Sequence, residues 1–282
     1  MTRNSSSIRW AAARPERIDA PGIGEAVGPW LLTRPLGQSA IGPRFMAVNS
    51  DGDQPSLAYR LDRRLVTDRA MAMVMAANPA DQPTHRHLLM PREALRDGAG
   101  DLWVFAPFIG SARGILSLTQ LAAARDGGKI GRCEAVFAGL QLLGASAHAH
   151  ARGVVHGPID ADQVLVDPRG GLLVELYGLE RSLRDLPVAT DVDRAAETRS
   201  IVALIVRLAT GQVAPAGTTM LDLPPTLRAW INTGSSEAGF ASAAQAERDL
   251  ASVLASLETG NEGTRSWIAD LTGFLGWALT RR

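Results

Sequence analysis

The sequence has no excess of charge of either sign. Lys+Arg and Asp+Glu both number 29, so nothing overall points to nucleic acid or an anionic membrane surface as a partner. It has a single cysteine, Cys133, which excludes an internal disulfide; its place in an apolar helical pattern predicts a buried thiol in a reducing, cytoplasmic setting. No run approaches the ~18–20 apolar residues of a membrane span. The first residues scatter Arg3, Arg9, Arg14 and Arg17 through Ser, Ala and Pro, without the continuous apolar core of a secretory signal. Internal repeats are lacking too. What remains is 282 residues at 46% apolar and 21% charged, the composition of an ordinary globular chain with one large domain or two small lobes.

Residues 1–27 mix Ser, Arg, Pro and Gly without period and read as a tail. From Trp30 to Val48 two apolar runs flank a turn containing Gly37 and Gly42, the pattern of a hairpin. Leu57-Ala58-Tyr59-Arg60-Leu61 alternates as a half-buried strand does, and Asp68 to Ala77 is a helix of methionines and alanines with no Glu. Asp101 to Gly110 reads as another strand. Val136, Leu140, Leu143 and Ala147 recur at helical spacing, and Gly153 closes that helix.

Next comes His156-Gly157-Pro158-Ile159-Asp160-Ala161-Asp162-Gln163, a short strand Val164 to Val166, a Pro168-Arg169-Gly170-Gly171 turn, a second strand Leu172 to Leu176, and Tyr177-Gly178. Asp191 to Thr210 is an apolar helix ended by Gly211. Ser242-Ala243-Ala244-Gln245 is a capping box for a helix carrying Ala246, Leu250, Val253 and Leu257 on one face. Gly260 to Gly263 reads as a linker, and 264–279 as an amphipathic helix with Trp267, Leu271, Phe274 and Leu275 on one side. Docking of that helix on the preceding lobe or on a partner is favoured over an interfacial membrane contact, which its flanking arginines permit.

The order of these elements resembles the eukaryotic-type (Hanks-type) Ser/Thr protein kinases of bacteria. Their catalytic loop is H-R-D-L-x-x-x-N and their metal-binding triplet D-F-G. Here His156 is kept, Gly157 replaces the Arg, Pro158 the catalytic Asp, and Gln163 the Asn. Leu176 stands for the Mg²⁺-binding Asp, Tyr177 for the Phe, and Gly178 is retained. Phosphoryl transfer rests on positioning, on metal ions held by oxygen ligands and on a carboxylate that takes the hydroxyl proton. Proline and leucine supply none of these.

The resemblance implies an α+β, bilobal kinase-like fold: a small antiparallel-sheet N-lobe at 28–106 and a mainly helical C-lobe at 107–258, with 259–282 as linker and terminal helix. It places Gly37 and Gly42 in the glycine-rich loop and Arg60 at the phosphate-pairing Lys. An Arg paired on the surface is an equal reading of that residue. Phe105 falls at the back of the adenine pocket, the backbone of Ala106 and Phe108 at adenine, and Glu197 at the usual Asp of the central C-lobe helix. No A-P-E triplet follows, and 18 residues separate Gly178 from Glu197, so the activation segment is short.

The expected function is a catalytically inactive pseudokinase that binds or regulates a protein partner. No cofactor or metal is required, and any ATP binding is weak and independent of Mg²⁺. The alternative is a divergent kinase or nucleotide-transferring enzyme with a site rebuilt from Asp160, Asp162 and Glu175. His85-Arg86-His87 could offer two imidazoles to a metal, but no third ligand is evident. None of the five histidines reads as a general base.

Overall fold

The computed structural model describes residues 23–259 apart from 50–53, 65, 77–78, 112–113, 214–219 and 221. The expected tail up to residue 22, the linker at 260–263 and the helix at 264–279 lie outside the described residues. Ala26–Val27, read from sequence as tail, form strand β1 and pair with Trp30 and Leu31.

The first lobe is a six-stranded antiparallel sheet in the order β1-β2-β3-β4-β6-β5. Its other strands are β2 (Trp30–Ser39), β3 (Gly42–Asn49), β4 (Pro55–Arg60), β5 (Glu93–Arg96) and β6 (Leu102–Pro107). Side chains alternate between its faces. Cross-strand pairs put Leu57 opposite Ala106 and Tyr59 opposite Val104 on one face; Ala58 opposite Phe105 and Arg60 opposite Trp103 occupy the other. The outer face is closed by its own cluster of Val27, Leu32, Phe45, Trp103 and Phe105, with Trp30 stacked on Phe105 at 4.9 Å between centroids. Helix α1 (Asp68–Ala76) lays Ala70 and Val74 on the inner side.

The second lobe is helical around α3 (Arg132–His150), α5 (Asp191–Thr210) and the antiparallel pair β7 (Val164–Val166) and β8 (Leu172–Val174). It is completed by α2 (Leu118–Ala123), α4 (Leu179–Leu183), α6 (Pro225–Ser235) and α7 (Ala243–Thr259). Gly139 lets three helices meet: a Cβ there would overlap Ile205 of α5 and come 2.7 Å from Leu250 of α7. The helices start where sequence chemistry says. Thr190 and Asp193 form a capping box on α5, Gly211 ends it in the left-handed conformation, and Ser242 Oγ accepts from Gln245 N at 3.1 Å. Cys133 is only partly buried against this core.

The lobes are sewn together. Residues 85–89, between α1 and β5, run alongside β8: Val174 N donates to His87 O and Leu89 N to Val174 O, each at 3.0 Å, and Tyr177 N to Leu89 O at 3.3 Å. A segment of the first lobe thereby acts as an added strand of the second.

Candidate functional site

The segment 156–163 is held by one carboxylate. Glu197, on α5 and fully buried, accepts through Oε2 from the backbone N–H of His156 at 2.7 Å and of Gly157 at 3.0 Å. Its Oε1 accepts from the Tyr177 hydroxyl at 2.6 Å and lies 3.1 Å from His150 Nε2. Burial opposes the charge, but hydrogen bonds from His150 and Tyr177 and the attraction of His150 outweigh it and hold this carboxyl below its ordinary value. The same contacts act oppositely on Tyr177, whose phenol is pushed up by burial and then by Glu197. His156 lies against Tyr177 with ring centroids 5.2 Å apart and planes tilted by 35°, and accepts from Gly178 N through Nδ1 at 3.1 Å; burial keeps it below the usual histidine value. The geometry of the loop is therefore fixed by Glu197, Tyr177 and His156.

The positions that would do chemistry carry other residues. Pro158 is exposed. Gln163 turns its Oε1 back to Asp160 N at 2.9 Å, closing a capping box with Asp160 on the turn Ala161–Gln163. Leu176 is 3% exposed and has φ 45, a left-handed conformation that bulky side chains rarely adopt and Asn or Asp tolerate better. It keeps an unusual backbone geometry without an oxygen to present.

One end of the cleft between the lobes is filled from both sides. Arg44 on β3 and Tyr59 on β4 reach from the inner face to Glu175 at the end of β8: Arg44 Nη1 and the Tyr59 hydroxyl both donate to Glu175 Oε1, at 2.9 and 2.8 Å. All three are buried. Burial pushes the Glu175 carboxyl up and Arg44 and Tyr59 take back part of that; the Tyr59 phenol is raised by burial and by Glu175. Ile41, at the tip of the β2–β3 hairpin, joins one apolar cluster with Leu57 and Tyr59 of the first lobe and Leu165, Leu176 and Leu179 of the second. The space left among Ser39, Ile41, His156, Gln163, Glu175 and Leu176 is ≈ 10 Å³, room for about one water.

Of the residues singled out from sequence, Gln163, Glu175 and Leu176 border that space, whereas the expected nucleotide contacts do not. Arg60 leaves the outer face and is bonded, together with Arg63, to the buried Asp101; Tyr59 is the residue of that strand facing the cleft. Phe105 likewise lies on the outer face, and its inner neighbours are Val104 and Ala106. A one-residue shift along a strand exchanges its faces, and that shift accounts for both differences. Gly42 (φ 142) serves packing, since a Cβ there would collide with the Arg60 carbonyl oxygen, while Gly37 (φ 90) sits at a break in the β2–β3 register with open space around it. Ala106 is buried on the inner face and Phe108 packs against it, half-buried.

Asp160 caps its turn and stands 3.6 Å from Arg207 Nη1, and Asp162 is exposed. Neither lines the space beside Glu175. Among the described residues no group of three His, Cys, Asp or Glu is placed to hold a metal ion. The chain's sole lysine, Lys129, precedes α3, so no lysine is available on β4. That count was legible in the sequence, whereas the partnership of Arg44 with Glu175, 131 residues apart, was not.

A larger cavity, ≈ 610 Å³, opens behind α1. Met73, Met75, Met90, Val154, Tyr177 and Leu179 contribute to its wall, and Met73 and Met75 are about half exposed.

No protein-family model matches the chain. A stretch of 166 residues is 25% identical to the mitogen-activated protein kinase kinase kinase bck1 of Aspergillus fumigatus, in two strains, covering 54% of this chain and 10% of that protein. The chain thus spans about a tenth of the length of these curated relatives. Crystal structures of the PknI kinase domain of Mycobacterium tuberculosis superpose with TM-scores of 0.65 and 0.63 at 16% identity, covering 83–84% of this chain and 99–100% of that domain. The fold is that of a protein kinase domain, with a sheet-built first lobe and a helical second lobe, as the order of motifs implied.

Proposed function

We propose that this protein is a catalytically inactive member of the Hanks-type kinase group, a pseudokinase that serves as a binding or regulatory module for a protein partner. The observation that carries this reading is the buried Arg44–Glu175–Tyr59 cluster, which fills the end of the cleft next to Leu176, in this reading where ATP phosphates would lie. Phosphoryl transfer needs oxygen ligands for Mg²⁺ and a carboxylate near the acceptor hydroxyl; Leu176, Gln163 and Pro158 stand at those positions. In this reading the Glu197 network shapes the loop with no carboxylate or metal ligand acting through it.

A non-catalytic role requires a surface. The methionine-lined cavity behind α1 is suited to an apolar segment of a partner protein, because flexible thioethers adapt to the side chain they receive. Incubation with radiolabelled ATP, Mg²⁺ and general acceptor proteins tests the central reading. No transfer above a protein-free blank is expected; transfer that survives repurification and disappears in Asp160→Ala would favour the enzyme with a rebuilt site.

A further inference from the structure

Away from the cleft, at the seam between the lobes, five basic side chains form an unbroken row. Arg152, just past α3, places Nη1 3.3 Å from His148 Nδ1. The His148 and His85 rings are 5.2 Å apart, and those of His85 and His87 are 5.4 Å apart. Arg86 Nε donates to His87 Nε2 at 3.0 Å. None of the five is paired with a carboxylate among the described residues. Arg86 and Arg152 are exposed and His85 is half-exposed, while His148 Nε2 is buried with no hydrogen-bond partner among the described residues.

The end of α3 offsets part of this charge: a helix C-terminus carries roughly half a negative unit, and Arg152 Nη1 also donates to the His148 carbonyl at 3.3 Å. That is too little for two guanidiniums and three imidazoles. The crowding of basic groups bears on two of the imidazoles. Burial lowers His85 first, and then repulsion from His87, His148 and Arg86 lowers it further. His87 is lowered by burial and Arg86, against a hydrogen bond between its Nδ1 and the Leu172 carbonyl of β8 at 2.7 Å. The groups facing His85 are thus Arg86 and His87 from its own segment and His148 from α3, and all are basic.

We infer that the His85-Arg86-His87 turn, with His148 and Arg152, is a binding site for a tetrahedral oxyanion, a phosphate group. Such an ion presents several acceptor oxygens to forked guanidinium donors and supplies the missing negative charge. It sits on the segment that joins the first lobe to β8, so occupancy stabilises the seam. Binding favours protonation of His85 and His87, both lowered in the free protein, so affinity rises as pH falls.

Sulfate is the first probe, because its charge is constant between pH 6.0 and 7.5. It is titrated against sodium chloride at matched ionic strength, following the histidine Hε1 resonances and the melting temperature. The expected result is saturable movement of the His85, His87 and His148 signals with little change at His156, and a larger rise in melting temperature at pH 6.0 than at 7.5. Arg86→Gln with Arg152→Gln, both exposed and outside the core, weakens binding by roughly tenfold or more per guanidinium lost. Sulfate acting no differently from chloride, or an unchanged response in the double variant, overturns the inference. Inorganic phosphate and a blocked alanyl-phosphoseryl-alanine peptide then compete with sulfate: displacement by the peptide means a phosphoprotein ligand, displacement by phosphate alone means the free ion, and displacement by neither refutes a phosphate site.

Discussion

Replacing Glu175 by Ala removes the shared acceptor of two buried donors, Arg44 Nη1 and the Tyr59 hydroxyl. The Arg44 and Glu175 side chains are 9% and 4% exposed, so water cannot readily take over. Breaking one side of a buried pair costs about 3–5 kcal/mol because the other charge is stranded, and the orphaned phenol adds about 1–3 kcal/mol. At about 2–4 °C per kcal/mol for a chain of this size, the combined about 4–8 kcal/mol means that Glu175→Ala should melt at least roughly 8 °C below the parent. Removing both charges while keeping volume, as Arg44→Met with Glu175→Leu, should recover the part of that loss due to the stranded guanidinium and leave only the about 1–3 kcal/mol of the orphaned Tyr59 hydroxyl. Urea unfolding of the parent, the two single variants and the double variant gives the coupling energy directly. A Glu175→Ala loss below about 1 kcal/mol, or a double variant no better than Glu175→Ala, would refute the claim that the pair is a buried lock across the cleft.

Three further outcomes follow from the same geometry. Glu197→Gln should flatten the acid limb of the stability curve: the Glu197 carboxyl is depressed in the folded protein, so its contribution is full above the unfolded value of ~4.3 and is lost as pH falls through the lower folded value; an unchanged limb would contradict this. Gly42→Ala should cost at least about 2–3 kcal/mol because its Cβ meets the Arg60 carbonyl oxygen, whereas Gly37→Ala should cost only about 1 kcal/mol from its positive φ, and equal losses in urea unfolding would be wrong for this hairpin. Leu176→Asp should lower stability by about 2–4 kcal/mol by burying a carboxyl and should still give no Mg²⁺-dependent nucleotide binding by calorimetry, since Glu175 and Tyr59 remain in place.

The bilobal architecture was legible because it is written in local signals: capping residues at Thr190 and Ser242, a glycine stop at Gly211, and strand runs in order along the chain. The identities of Pro158, Gln163 and Leu176, on which the proposed inactivity rests, are likewise read directly from the sequence. Which side of a strand meets the cleft was not. Alternation in Leu57-Ala58-Tyr59-Arg60 gives two faces, both buried here, so hydrophobicity could not tell inner from outer and the charged residue drew the assignment. The Arg44–Glu175 partnership and the basic row at the seam are products of tertiary packing, and no spacing rule connects residue 44 to 175 or 85 to 148. Strand β1 was missed because Ala26–Val27 is too short to show a period.

The central claim is that the cleft no longer works as a metal-nucleotide site. It is tested most directly by the melting temperature of the purified protein titrated with ATP, in the presence and absence of Mg²⁺. A ligand at ~100 times its dissociation constant stabilises by ~2.7 kcal/mol, a shift of several degrees for this chain. The account predicts no shift that depends on Mg²⁺; a saturable Mg²⁺-dependent rise of that size would contradict it.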